Sequence, residues 1–227
     1  MQTAASSARA VAALISTQRK AAVRTEIAVT LLMILIALVA WVNAASPAAV
    51  PPLKTGDIVL QASQSGMAES IRKATRSPYS HVGVVEVGKD GVFVVEAISP
   101  VSRTPFAKWK RRGRGGHLTI MRPRVTAEQA SAAVAAARAE LGKPYDIRYG
   151  WDDERIYCSE LVVKAFQRGA GVTYGERVRL DTLELGAFEK ALAVKLGVPL
   201  SREVVPPGSL ASDPQLDVVF SDVVVSP

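Results

Sequence analysis

The stretch that most constrains the fold of this chain is a pair of valine-rich segments around a short polar turn. Residues 80–87 and 92–97 are mostly β-branched, and Gly88-Lys89-Asp90-Gly91 lies between them. Two such segments around a glycine-containing turn predict a β-hairpin. With Lys89 and Asp90 as the loop, Gly88 pairs with Gly91, and this sets the register of the whole hairpin.

Two polar side chains lie in this otherwise apolar hairpin. In the predicted register His81 is opposite Ile98, and Glu96 is the diagonal neighbour of His81 on the same face. Diagonal neighbours lie about 7–8 Å apart, within reach of a long side chain, and a buried unpaired carboxylate would be costly. We therefore expect a His81–Glu96 pair. The alternative is a surface salt bridge on a solvated face of the sheet.

The single cysteine of the chain, Cys158, stands before a helical pattern. A lone cysteine cannot close an intramolecular disulfide. Leu161, Val162 and Phe166 follow the spacing of a helix that ends before Gly171. Cys158 therefore falls at or just before a helix N-terminus, where free N–H groups and the helix dipole favour a thiolate. The alternative is an inert core cysteine.

Composition separates an N-terminal leader from the body of the chain. Residues 1–26 form a basic segment rich in Ala and Ser, the run Ile27–Val42 has no charge, and residues 45–52 form a Pro/Ala linker. We predict that residues 27–44 are a signal peptide or an N-terminal membrane anchor. The body, residues 53–227, is then exported, either periplasmic or anchored facing outside the cytoplasm. A buried core helix is the alternative.

The whole chain has a net charge of +7, of which residues 1–26 carry +3, so the remaining +4 makes the body only mildly basic. It contains no zinc-type Cys/His spacing and no phosphate-binding glycine loop, so we predict no metal, no cofactor and no nucleic acid partner. Basic residues 108–114 cluster around Trp109. A solvated loop is the simplest interpretation, and membrane association through this cluster and residues 27–42 is the alternative.

Short β-branched strands in the middle of the body, with helices around them, predict the α+β class. We expect a mostly antiparallel sheet built on the 80–97 hairpin, with the nucleophile helix that starts at Cys158 packed against it.

Several short stretches together carry a resemblance to a known family. They are Thr55–Val59, Ser80–Val85, Val95–Ala97, Leu141–Asp146 and Ile156–Val162, with Pro207–Leu210 and Ser212–Pro214 near the end. The body resembles the NlpC-type cysteine hydrolase superfamily and, within it, the circularly permuted, papain-like YiiX/YebB group. The order of the stretches is informative, because the histidine hairpin comes before the cysteine helix, whereas unpermuted relatives have the reverse.

The resemblance implies a role for four residues. Cys158 corresponds to the nucleophile, His81 to its base, and Glu96 to the residue that orients the imidazole. Tyr145, in the turn that starts at Gly142, corresponds to the tyrosine that assists the oxyanion site in NlpC-type enzymes. Relatives similar to lecithin:retinol acyltransferase have a histidine as the third residue, so Glu96 argues mildly against that branch.

The leading functional prediction is an exported thiol hydrolase that cleaves amide bonds through a Cys-His-Glu triad, with cell-wall peptides as first-choice substrate. A lipid-directed thioesterase, amidase or acyltransferase at the membrane is the second hypothesis. The third is a catalytically silent binding module on the same fold.

Overall fold

The computed structural model describes residues 26–39 and 49–223, and the chain divides into two units between Ala49 and Val50. In the first unit, residues 26–39 form helix α1, whose side chains are exposed. The rest of the predicted leader lies outside the described residues. Within the two described ranges, no helix combines the length and the apolar character that crossing a membrane requires. Export therefore stays a prediction.

Six strands of the second unit form one sheet in which all neighbouring strands are antiparallel. Their order is β4-β3-β2-β1-β5-β8, and β6 pairs with β7 separately. The strands are β1 (Ile58–Gln61), β2 (His81–Gly88), β3 (Gly91–Glu96), β4 (Ser102–Pro105), β5 (Thr119–Pro123), β6 (Val178–Arg179), β7 (Glu203–Val204) and β8 (Leu216–Ser221). The predicted mostly antiparallel sheet is confirmed.

The β2–β3 hairpin has the predicted register, with Val84 opposite Val95 and Gly88 opposite Gly91. Gly91 has a φ of +119°, a conformation that residues with a side chain rarely adopt. The turn thus fixes the pairing. Because side chains alternate between the two faces of a strand, a shift of one residue would separate His81 from Glu96.

Helices cover both faces of the sheet. They are α2 (Ala68–Thr75), α3 (Phe106–Arg111), α4 (Ala127–Arg138), α5 (Cys158–Ala170), α6 (Ala187–Leu196) and α7 (Pro207–Ala211). A capping box starts α4, where the Gln129 N–H donates to Thr126 Oγ1 at 3.2 Å and the Thr126 N–H donates to Gln129 Oε1 at 3.0 Å. Each of these two hydrogen bonds satisfies one N–H group that the start of a helix leaves without a backbone partner.

The sheet separates two hydrophobic cores. On one face Leu60 and Val82 pack with Leu161 and Phe166 of α5, and α4 adds to this larger core. On the other face Val85 and Val94 pack with Trp109 of α3. Each fully buried side chain of this size contributes about 1.5–3 kcal/mol to folding. The prediction that the Cys158 helix packs against the hairpin is confirmed, because α5 contacts β2.

Candidate active site

Cys158 is the first residue of α5 and is almost completely buried. Two side chains attach this helix start to the 203–207 segment. Ser159 Oγ donates to the Val205 carbonyl at 2.5 Å, and Tyr157 Oη accepts from the Val205 N–H at 3.1 Å. Glu160 Oε2 accepts the Tyr157 N–H at 3.2 Å. The nucleophile candidate therefore occupies a fixed position at a helix N-terminus, where the dipole favours an anion.

His81 begins β2, and its Nε2 lies 2.6 Å from Glu96 Oε2. The imidazole and the Cys158 thiol line the same cavity, and because Glu96 occupies Nε2, Nδ1 is the ring nitrogen that remains for the thiol. Its ring lies 6.4 Å from that of Trp109, centroid to centroid. The His81 side chain thus belongs to the α3 face of the sheet, whereas Cys158 comes from α5 on the opposite face. They meet at the end of β2.

Glu96 ends β3 and is fully buried. Besides His81, its carboxylate binds the Arg112 guanidinium through Oε1. Burial alone would raise the pKa of Glu96, but His81, Thr104 and Arg112 lower it. Gly83 provides the room: a Cβ at this position would lie 2.4 Å from Val94 Cγ1 and 3.3 Å from Glu96 Cβ. The predicted His81–Glu96 pair is therefore present, and the solvated-face alternative is wrong because the carboxylate has no exposed surface.

The charges of the site reinforce each other. Burial alone would lower the pKa of His81, but its interactions with Cys158 and Glu96 outweigh burial and raise the pKa to about 9. Burial alone would raise the pKa of the Cys158 thiol, but His81 and the N–H groups of Val82 and Ser159 lower it. The register of the β2–β3 hairpin would place Val82 opposite Ala97, which is the first residue after the end of β3. Both shifts favour the thiolate–imidazolium form of the pair over the neutral form.

Tyr145 lies in the irregular segment before α5, where it pairs with Ile156 in a parallel bridge. Its side chain lines the same cavity as those of Cys158 and Tyr149. Burial and the negative charge of Cys158 raise the pKa of Tyr145 well above its usual range, so the phenol stays protonated and can donate. The structure thus brings all four residues predicted from the sequence together.

Two residues of the 108–114 stretch contact the catalytic side chains, which the sequence did not indicate. Trp109 is fully buried beside His81, and Arg112 binds Glu96. The lone tryptophan among cations was the available signal for a buried side of this helix. The solvated-loop interpretation is wrong for these two residues, while membrane association through the exposed members stays a prediction.

A cavity of about 1000 Å³ opens beside the thiol. Cys158, His81 and Tyr145 line it, and so does Gln61, whose fully buried amide has no hydrogen-bond partner among the described residues. The catalytic residues therefore line a pocket of the size that small-molecule sites have.

Comparison with known proteins places the chain in a family. Residues 52–220 match the sequence profile described as "Permuted papain-like amidase enzyme, YaeF/YiiX, C92 family". The uncharacterized protein YiiX of Escherichia coli (strain K12) is 34% identical over 175 residues, which cover 74% of this chain and 87% of YiiX. A crystal structure of yiiX from Escherichia coli O157:H7 has a TM-score of 0.70 and 35% identity, covering 74% of this chain and 97% of that one.

That crystal structure is described as one of a metalloprotein. In residues 26–39 and 49–223 of the present chain, no three His, Cys, Asp or Glu side chains are close enough together to hold a metal ion. The described part of the chain thus does not supply the donor set that a resident metal needs.

Proposed function

The chain belongs to the permuted papain-like amidase family, the YaeF/YiiX or C92 family, and on this premise we propose that it hydrolyses amide bonds through Cys158, His81 and Glu96. The family is one of cysteine amidases and peptidases, so the chain is an enzyme. The triad itself rests on one observation: His81 binds the buried Glu96 through Nε2 at 2.6 Å and lines the same cavity as the Cys158 thiol.

The reaction begins at the Cys158 thiolate, which attacks the carbonyl carbon of the scissile amide and forms a C–S bond. The carbonyl oxygen becomes an oxyanion, for which the Cys158 N–H and the Tyr145 hydroxyl are the donors. One such donor is worth about 3–4 kcal/mol of barrier. When the C–N bond breaks, the His81 imidazolium gives its proton to the leaving nitrogen.

A thioester on Cys158 remains after the amine leaves. His81, now neutral, removes a proton from water as the water attacks the thioester, and collapse of this second intermediate releases the carboxylic acid and the thiolate. Glu96 accepts a hydrogen bond from Nε2–H throughout, which orients the ring and stabilises the imidazolium. Every proton lost by one group is thus taken up by another.

Trapping the thioester tests this proposal. Wild-type protein is mixed with an activated acyl ester, quenched in acid and digested, and the acylated peptide is identified by mass. We expect the acyl group on Cys158, none in Cys158→Ala, and much slower acylation in His81→Ala. Acylation at the same rate in His81→Ala would contradict the proposed pair.

The substrate hypotheses differ in what the cavity must accommodate. Cell-wall peptides, the first choice from the sequence, carry amino and carboxylate groups and stay a prediction. The lining of the cavity is mostly apolar, which favours the second hypothesis, a lipid-directed hydrolase. The binding-module hypothesis has no support from the geometry, since a binding module needs no thiolate–imidazolium pair.

A further inference from the structure

Gln61 lines the cavity beside Cys158, yet none of the steps proposed for the triad uses it. It ends β1 and is fully buried, and neither end of its amide has a hydrogen-bond partner among the described residues. Leaving a buried amide unpaired is unfavourable, so nearly all such groups in native proteins have a partner. An unpaired amide that lines a catalytic cavity therefore points to a bound molecule that pairs with it.

The pairing of β1 with β2 places Gln61 beside His81. The two residues are directly opposite each other, and the Ser80 N–H donates to the Gln61 carbonyl at 3.0 Å. Directly paired side chains lie on the same face of a sheet, with Cβ atoms about 4.5–5.5 Å apart. Glu96 reaches His81 from β3, on the other side of β2. The Gln61 amide is thus the neighbour of the imidazole on the side away from Glu96.

The donors for the oxyanion come from the opposite face of the sheet. Leu60 belongs to the core under α5, so the next side chain, that of Gln61, lies on the α3 face with His81. Cys158 begins α5, and Tyr145 packs against the core on the α5 side. Gln61 is therefore placed to bind the group that exchanges a proton with His81, not the oxyanion.

In the second half of the reaction, the group that exchanges a proton with His81 is water. As it attacks, one of its hydrogens points to His81 Nδ1 and one lone pair to the thioester carbon. One hydrogen and one lone pair remain. A primary amide can bind either of them, because it has both an acceptor oxygen and N–H donors. Such a contact would fix the orientation of the water, and correct orientation of a reactant contributes directly to the rate.

We propose that Gln61 positions the hydrolytic water that releases the acyl group from Cys158. The proposal rests on the function proposed above, because it needs the thioester. The water gives one proton to His81 Nδ1 as its oxygen forms a bond to the carbonyl carbon. The C–S bond then breaks, which releases the carboxylic acid and the Cys158 thiolate. Gln61 neither gains nor loses a proton, so it is a positioning residue.

Acetylation of the full chain by p-nitrophenyl acetate separates the two halves of the reaction. The first turnover of p-nitrophenolate gives the rate of acylation. The decay of acetyl-Cys158 after removal of the ester, followed by mass, gives the rate of hydrolysis. We expect Gln61→Met, which is similar in size but lacks the amide, to acylate at the wild-type rate and to lose its acetyl group about tenfold to hundredfold more slowly. The same substitution at the exposed Gln167 of α5 should leave both rates unchanged.

Two readouts distinguish positioning of water from a structural role. Hydroxylamine attacks a thioester without the help of a base, so it should remove the acetyl group from wild type and Gln61→Met at equal rates. The urea midpoint of Gln61→Met should equal or exceed that of wild type, because the substitution removes an unpaired buried amide. A structural role for Gln61 would lower the midpoint instead.

Gly113→Ala displaces the amide without removing it. A Cβ on Gly113 would lie 2.4 Å from Gln61 Oε1, the end of a flexible side chain, and the φ of Gly113, −72°, is one that alanine adopts readily. We expect Gly113→Ala to slow hydrolysis of acetyl-Cys158 in the wild-type background and to have no further effect in Gln61→Met. Equal slowing in both backgrounds would show that Gly113 acts independently of Gln61 and would count against the proposal.

The remaining outcomes separate this proposal from the proposed function. Hydrolysis at the wild-type rate in Gln61→Met would overturn the role of Gln61 and leave the hydrolase intact. Slower acylation together with slower hydrolysis would also overturn it, because Gln61 would then serve the oxyanion or the fold. If Gln61→Met does not unfold cooperatively, hydrolysis at the wild-type rate in Gly113→Ala overturns the proposal instead. Absence of acetylation at Cys158 in the wild type would remove the hydrolase and this proposal together.

Discussion

At the scale of single residues, the site works by pairing charges that would each be unfavourable alone. Burial disfavours both the Cys158 thiolate and the His81 imidazolium, yet each stabilises the other more than burial costs. Glu96 extends the pair on the far side of the ring, and Arg112 neutralises its second oxygen. The four groups form one titrating unit, so a change at one is felt at the others.

The thiolate should be detectable through its reactivity. Because His81 lowers the pKa of the Cys158 thiol, the rate of alkylation by iodoacetamide should be half-maximal at a pH below ~8.5, the pKa of a free cysteine. His81→Ala removes the partner cation and leaves the burial, so the pKa should rise above that value. The rate of alkylation against pH measures both. Identical profiles near ~8.5 in the two proteins would make Cys158 an ordinary core cysteine.

Arg112 changes what is expected of a substitution at Glu96. His81→Ala should cost about 10²–10⁴-fold in kcat/KM as the loss of an acid–base group, and Glu96→Gln should cost less, since an amide still binds the ring. Glu96→Gln nevertheless leaves the Arg112 cation uncompensated near the imidazolium, which lowers the pKa of His81.

The test is a double-mutant cycle on kcat/KM. Arg112→Gln should recover part of the activity in the Glu96→Gln background and lower it in the wild-type background. Equal losses in both backgrounds would show that Arg112 acts independently of Glu96.

At the scale of elements, local signals made part of the structure predictable. The Gly88–Gly91 turn determines the hairpin register, and the spacing after Cys158 places the cysteine at a helix start; both are properties of neighbouring residues. The contact between Arg112 and Glu96 depends on how α3 packs on the sheet, which no local pattern encodes. The cavity likewise needs the arrangement of α2, α6 and β7. The sequence therefore predicted the reacting residues, but it predicted neither Arg112 as the second partner of Glu96 nor the shape of the cavity beside Cys158.

The close approach of β2 and β3 at Gly83 should be essential to the site. A Cβ there would lie 2.4 Å from Val94 Cγ1 and 2.9 Å from the Val95 carbonyl oxygen, so Gly83→Ala has to displace β3 and with it Glu96. We expect a loss of about 1–3 kcal/mol in the free energy of unfolding and a lower kcat. Urea unfolding and kinetics measure the two effects.

Gly66→Ala is the matched control, because no atom lies within 4 Å of the position of the added methyl group. It should leave the free energy of unfolding within about 0.5 kcal/mol of wild type, as surface changes usually do. Similar losses in both variants would mean that the contact at Gly83 is not the cause.

At the scale of the whole molecule, the catalytic unit is contained in one part of the chain. The unit that starts at Val50 holds the sheet, the triad and the cavity. Val50 and Leu53 pack against the core on the α3 face, so the last residues of the predicted 45–52 linker contribute to this unit. Helix α1 belongs to the other unit. The leader and the enzyme can therefore be examined separately.

A chain shortened to start at Ala49 should fold by itself. It retains Val50 and every residue of the two sheet cores, so its urea unfolding should be a single cooperative transition with the same midpoint by fluorescence and near-UV circular dichroism. Acylation of Cys158 should proceed at the rate of the full chain, because every triad and cavity residue found in the described ranges follows Val50. The full chain serves as the control for both measurements. If the shortened chain aggregates or unfolds without a cooperative transition, the apolar run Ile27–Val42 is part of the core, and the prediction that it serves export is wrong.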